Sequence, residues 1–128
     1  MRNYLLIDDD EIINKIHPII IGKVDKDCCV EICSNAVEAI EYLNQLLAQG
    51  GTPPNFIFLD INMPIMSGFE FLEKLSDEIK SFLKESKIIL LSSSIDPADK
   101  VNASKFENIL EFAPKPLTVP YLNNLLSL

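Results

Sequence analysis

Five short apolar runs recur along the chain: Tyr4 to Ile7, Cys29 to Cys33, Phe56 to Leu59, Ile88 to Leu91 and Ile109 to Ala113, each followed by enough residues for one helix. The intervals read as helices over Asp10 to Val24, Asn35 to Gln49, Ser67 to Glu85 and Pro97 to Phe106, with a last from about Thr118 to the end. Strands that alternate with helices are joined by right-handed crossovers, so this is the pattern of an α/β fold, (βα)5, with a parallel sheet covered on both faces. Central strands of such a sheet must be apolar throughout, as "FIFL" and "IILL" are.

Several boundaries carry their own signals. Ser67 precedes Gly68-Phe69-Glu70, Asp96-Pro97 supplies a cap and a first-turn proline, and Gly50-Gly51-Thr52-Pro53-Pro54 is a stop. In the third helical segment Phe69, Leu72, Leu75 and Ile79 keep the spacing of a buried stripe, while Glu73, Lys74, Asp77 and Lys80 take much of the rest. His17-Pro18 falls inside the first helical pattern, where proline removes a donor and crowds the preceding turn, and a kink or short break is expected there. No linker or repeat divides the chain, so residues 1–128 read as a single domain.

A chain of 128 residues buries a core without staples. Asp plus Glu outnumber Lys plus Arg by 19 to 11, and a net charge of −8 repels nucleic-acid backbones and anionic lipid, so neither is expected as a partner. No apolar run approaches the roughly 18 residues that span a bilayer, and MRNYLLIDDD has too short an apolar stretch for a secretory signal, so a cytoplasmic address is expected. Cys28, Cys29 and Cys33 are odd in number and too few for a tetrahedral zinc, and read as reduced, packed thiols.

The informative residues follow the strands: Asp8-Asp9 after the first, Asp60 after the third, Ser92 after the fourth and Lys115 after the fifth. An open parallel sheet binds its ligands outside these carboxyl ends, so residues far apart in sequence meet there. Carboxylates that converge repel one another unless a cation joins them, and an oxygen-only set suits magnesium, with manganese as the alternative. A lysine and a hydroxyl beside them suit the oxygens of a phosphoryl group, and a carboxylate, here Asp60, can itself attack phosphorus. Each residue also has a plain structural reading. Asp8 to Asp10 begin a helix, where carboxylates suit the dipole, and Asp10 belongs mainly to that role. Lys115 beside Pro116 is a turn residue, and Ser92 to Ser94 are solvated hydroxyls. His17, the sole histidine, lacks an acidic neighbour at the next position and reads as a surface or packing residue, not a phosphate carrier.

Four motifs, "LLIDDDE", "FIFLDINMPIMSGFEFL", "IILLSSS" and "FAPKPL", in this order, give the chain a resemblance to the receiver domain of two-component response regulators over essentially its whole length. The resemblance implies a flavodoxin-like doubly wound five-stranded sheet of order 2-1-3-4-5, like a single-domain chemotaxis regulator. It implies that Asp60 accepts phosphate from a sensor histidine kinase or a histidine phosphotransfer protein. Asp9 and Asp60 would bind magnesium directly, Asp8 through a water, and Asn62 through its backbone carbonyl. Ser92 would hydrogen-bond the phosphoryl group, Lys115 would pair with it, and Phe112 would be the aromatic that reports the state of the pocket. Phe112 lacks the phenolic hydroxyl of its commoner counterpart, so it would signal by packing alone. Asn62 and Ser94 occupy the positions that tune hydrolysis of the acyl phosphate, and as neither is a strong base, self-dephosphorylation should be slow. The Lys115-Pro116 bond would be cis, and the readout surface would be the fourth helix, fifth strand and fifth helix, toward a downstream protein or a second copy. As the sequence ends ten residues after Thr118, no output module is expected to follow: the domain acts through its own surface or was cut from a longer protein.

Rival readings share parts of this pattern. A haloacid-dehalogenase-type phosphatase would use Asp8 as nucleophile with Asp10, and would need a late acidic pair, for which Asp96 and Asp99 are the candidates. A flavin carrier would need a hydroxyl- and glycine-rich loop where this chain has three aspartates. A receiver-like binding module that no longer accepts phosphate would usually lack one of the acids or the lysine.

Overall fold

A computed structural model of the chain describes residues 1–93 and 96–127. Strands β1 (Arg2–Ile7), β2 (Cys28–Cys33), β3 (Phe56–Asp60), β4 (Lys87–Ser92) and β5 (Ile109–Pro114) form one parallel sheet in the order β2-β1-β3-β4-β5. Between and after them run α1 (Glu11–Val24), α2 (Ala36–Ala48), α3 (Gly68–Lys74), α4 (Asp77–Phe82), α5 (Pro97–Ala103) and α6 (Val119–Leu126). The expected (βα)5 architecture and strand order are present.

Alternation along each strand sends successive side chains to opposite faces. Leu5, Ile7, Ile57, Leu59, Ile88 and Leu90 pack with Leu43 of α2, Phe71 of α3 and Ile79 of α4, whereas Tyr4, Leu6, Phe58, Ile89 and Leu91 pack with Ile21 of α1 and Leu122 of α6. Burying one such side chain contributes about 1.5–3 kcal/mol, so both helical layers are held chiefly by apolar burial. The edge strand β2 alternates exposed and half-buried residues. Of its three free thiols Cys33 is buried and Cys28 half-buried, but Cys29 is exposed and departs from the packed environment expected. Burial pushes the Cys33 thiol up to about 12, which keeps it protonated and inert.

The helix expected from Ser67 to Glu85 is two helices. Leu75 leaves α3 in an extended conformation, and Ser76, also extended, accepts from the Ile79 amide at 3.2 Å to begin α4. Ser76-Asp77-Glu78 is itself a helix-start signal, a hydroxyl cap followed by first-turn acids, and it overrides the continuous apolar stripe. Leu72, Leu75 and Ile79 are nevertheless all buried. By contrast, α1 runs unbroken through Pro18, with buried His17 and Ile21 on either side anchoring it to the sheet. The helix expected to reach Phe106 stops at Ala103, and Phe106 stacks on Phe69 of α3 at 6.2 Å between ring centroids.

The cap that divides α3 from α4 is testable. Ser76→Ala should destabilise the protein by about 1 kcal/mol, read as a lower urea midpoint at unchanged slope.

Candidate functional site

Three strand ends and one loop meet at the carboxyl edge of the sheet. β1 and β3 are neighbours, so Asp8, just beyond β1, lies beside Asp60, the last residue of β3. Lys115 follows β5, two strands away, and its side chain reaches back across the mouth of β4. Its Nζ lies 3.1 Å from Asp8 Oδ2 and 3.3 Å from Asp60 Oδ2. Asp8 and Asp60 are almost fully buried, whereas Asp9 stands exposed at the rim. Carboxylate oxygens of Asp8, Asp9 and Asp60 fall within 4.8 Å of one another.

The backbone fixes the remaining oxygens. Asp8 Oδ1 accepts from the Asp10 amide at 2.9 Å, and Asp60 Oδ1 accepts from the Asn62 amide at 3.0 Å. Ser92, buried at the end of β4, has its Oγ 3.4 Å from the Asn62 side-chain nitrogen, which ties the hydroxyl to the loop after Asp60. Asn62 itself is exposed. Phe112, half-buried in β5, packs on the apolar cluster beneath α2 and α3. Ser94 lies outside the described residues. The Lys115-Pro116 bond is cis, as expected.

Burial dominates the electrostatics of Asp60, raising its pKa from 3.8 to about 6; the Asn62 amide works against this, Asp8 adds to it and Lys115 opposes it. For Lys115, burial alone favours the neutral amine, but the Asp8 and Asp60 carboxylates together leave its pKa raised. One ammonium therefore serves two buried acids, a third acid stands beside them, and the cluster keeps a deficit of positive charge.

The donor set fits a hard divalent cation, being oxygen alone with no thiolate or imidazole among the converging groups. Asn14 supplies a second observation. Its side-chain nitrogen donates to the Asp8 carbonyl at 2.8 Å, which orients the amide, and leaves Oδ1 buried without a partner among the described residues. A buried acceptor in that condition is one that a water or an ion satisfies.

Residues with a purely structural role also separate here. Asp10 caps α1, its Oδ1 accepting from the Ile12 and Ile13 amides, so it is not placed as a phosphatase's second aspartate. Asp96 and Asp99 form the capping box of α5, which removes the late acidic pair such an enzyme needs. Gly68 begins α3 against the backbone of the loop: a Cβ there would lie 2.7 Å from the Asp60 carbonyl oxygen and 2.9 Å from Ile61 Cα. Sequence reading did not single out Asn14, nor the contact by which buried His17 accepts from the Leu117 amide. They sit three residues apart on the face of α1 that turns inward, with Asn14 half-buried and His17 and Ile21 buried. Polar residues on that face were the signal.

A family model described as the response regulator receiver domain matches residues 4–127. The crystal structure of a two-component response regulator from Cytophaga hutchinsonii is similar with 34% identity and a TM-score of 0.88, covering 99% of this chain and 95% of that one. The two-component response regulator ARR17 of Arabidopsis thaliana is 32% identical over 124 residues, 88% of this chain and 74% of that protein. An uncharacterized response regulatory protein of Vibrio cholerae serotype O1 is 33% identical over 78 residues, 61% of this chain. The match takes up 30% of that Vibrio protein, so the chain spans about a third of the length of the first curated relatives it matches.

Two outcomes follow from the geometry. Gly68→Ala should cost about 1–3 kcal/mol in stability, because the added carbon meets backbone that must move. Folded Asp60 takes up its proton at higher pH than the unfolded chain does, so in metal-free buffer its contribution to stability is present below pH 4 and lost as pH rises through about 6. Asp60→Asn should therefore stabilise the protein at pH 7, by at most about 3 kcal/mol, and flatten the Tm profile between pH 4 and 7.

Proposed function

The chain belongs to the response regulator receiver domain family, and on that premise we propose that it accepts a phosphoryl group on Asp60 from the phosphohistidine of a sensor kinase or phosphotransfer protein. The observation that carries this reading is the position of Lys115, with its ammonium within 3.3 Å of both Asp8 and Asp60 at the end of a buried central strand.

In the proposed reaction an Asp60 carboxylate oxygen attacks phosphorus in line with the leaving imidazole nitrogen. A P–O bond forms, the P–N bond breaks, and the departing histidine nitrogen takes a proton from solvent. Two anions must approach for this, and a bound magnesium ion supplies the neutralisation of phosphoryl oxygens that permits it. Asp9 and Asp60 would hold that ion directly, Asp8 through a water and Asn62 through its backbone carbonyl. Lys115 would move from two carboxylates to a carboxylate and a phosphoryl oxygen, while the Ser92 hydroxyl donates to another phosphoryl oxygen. Asn62 offers an amide and no base toward water, which supports slow self-hydrolysis.

Phosphorylation would bias a two-state surface made of α5, β5 and α6, through Ser92 and the packing of Phe112. In support, α5 buries none of its residues, so little apolar contact opposes its movement. The partner read by that surface is a downstream protein or a second copy of the chain. No helix among the described residues is long and apolar enough to cross a membrane, which is consistent with a cytoplasmic relay.

Incubation with magnesium and acetyl phosphate or phosphoramidate should add one phosphoryl mass to the intact protein. Asp60→Asn and chelation of the metal should each abolish the gain. A gain that survives Asp60→Asn would place the nucleophile elsewhere.

A further inference from the structure

His17 is 1% exposed in the middle of α1, and the chemistry proposed above does not use it. Its Nε2 accepts the backbone N–H of Leu117 at 3.0 Å, and Leu117 is itself 2% exposed. Leu117 stands two residues after Lys115, in the short loop between β5 and α6. That loop determines where the Lys115 stem begins, and hence whether the ammonium spans Asp8 and Asp60. A backbone N–H stranded in a buried site costs about 1–3 kcal/mol, so a chain without this acceptor gains by turning the loop and its lysine elsewhere.

Simple packing does not account for the residue. An imidazole buried only to fill space loses the hydration of its nitrogens, and a leucine would fill the same volume without that loss. Histidine is favoured here because its nitrogen meets an otherwise unpaired donor. The same helix holds the other side of the pocket, since Asn14, one turn earlier, donates to the Asp8 carbonyl at 2.8 Å. From one face, α1 thus braces both the loop that carries Asp8 and the loop that carries Lys115.

We propose that His17 is a positioning residue of the phosphoacceptor site: its neutral imidazole holds the Leu117 N–H and thereby aims Lys115 at Asp60. The proposal rests on the reading of Asp60 as phosphoacceptor. It requires the proton on Nδ1, because an imidazolium has no acceptor to offer Leu117. Burial lowers the His17 pKa below the usual 6.5; Asp8 and Asp10 oppose this, and Lys115 adds to it. The acceptor form therefore prevails at neutral pH.

Two replacements separate positioning from bulk. His17→Leu keeps the volume and loses the acceptor, whereas His17→Gln restores an acceptor at similar reach. With phosphoramidate and magnesium, His17→Leu should slow phosphorylation of Asp60 about tenfold and His17→Gln less than about threefold. In a Lys115→Met background, His17→Leu should slow it by less than about twofold further, since the lysine through which it acts is gone. Wild-type speed in a folded His17→Leu protein, an equal loss in His17→Gln, or a full loss that persists without Lys115 would each overturn the proposal.

If His17→Leu does not fold, the wild-type protein still decides. A nitrogen–nitrogen coupling across the hydrogen bond, between the Leu117 amide and His17 Nε2, should be visible by NMR above pH 7, and its absence would overturn the assignment. Failure of the phosphoacceptor reading is recognised separately, as a wild-type protein that gains no phosphoryl mass. The Asp60 carboxyl pKa, followed by NMR, then tests positioning alone. It should rise in His17→Leu and not in His17→Gln, and an unchanged value in both would refute the role.

Discussion

The ammonium of Lys115, shared between two buried carboxylates, is the interaction on which the rest of this molecule turns. Burial drives Asp60 toward protonation, and one lysine within 3.3 Å does not offset it fully. The pocket therefore holds more negative charge than its own groups neutralise, which makes it a place for added positive charge. Its oxygen-only donor set could hold a divalent cation.

Sheet topology makes that interaction attainable. Asp8 and Asp60 come together because β1 and β3 pair directly, and Ser92 follows because β4 pairs with β3. Lys115 starts from β5 and must cross the mouth of β4, which a long flexible stem allows and a short side chain would not. Its loop is held from below by α1, through the His17 bond to Leu117, while Gly68 lets α3 close on the backbone of Asp60. Helices on opposite faces of the sheet thus brace different loops of one pocket, α1 those of Asp8 and Lys115 and α3 that of Asp60.

Much of this was legible in the chain alone. The five apolar runs became five strands, and the polar residues that follow them, Asp8, Asp9, Asp60, Ser92 and Lys115, lie at one edge of the sheet. Misreadings arose where a local signal competed with a pattern. Ser76 broke a helix that the apolar stripe of Leu72, Leu75 and Ile79 had suggested was continuous, and Pro18 failed to break one, because packing on both sides of it outweighs one lost backbone bond. Cys29 is exposed near the start of the edge strand β2 whereas Cys33 at its end is buried, a difference set by tertiary packing and not by composition.

By itself the sequence determined the element order, the apolar strands and the acidic, hydroxyl and lysine residues at their ends, since periodicity and turn chemistry act within a few neighbouring residues. Tertiary structure alone decided which oxygens Lys115 reaches, that Asn14 keeps a buried acceptor beside Asp8, and that His17 meets an amide 100 positions away. Hydrogen bonds depend on distances of a few tenths of an ångström between groups the chain keeps far apart, and only the packed sheet sets those distances.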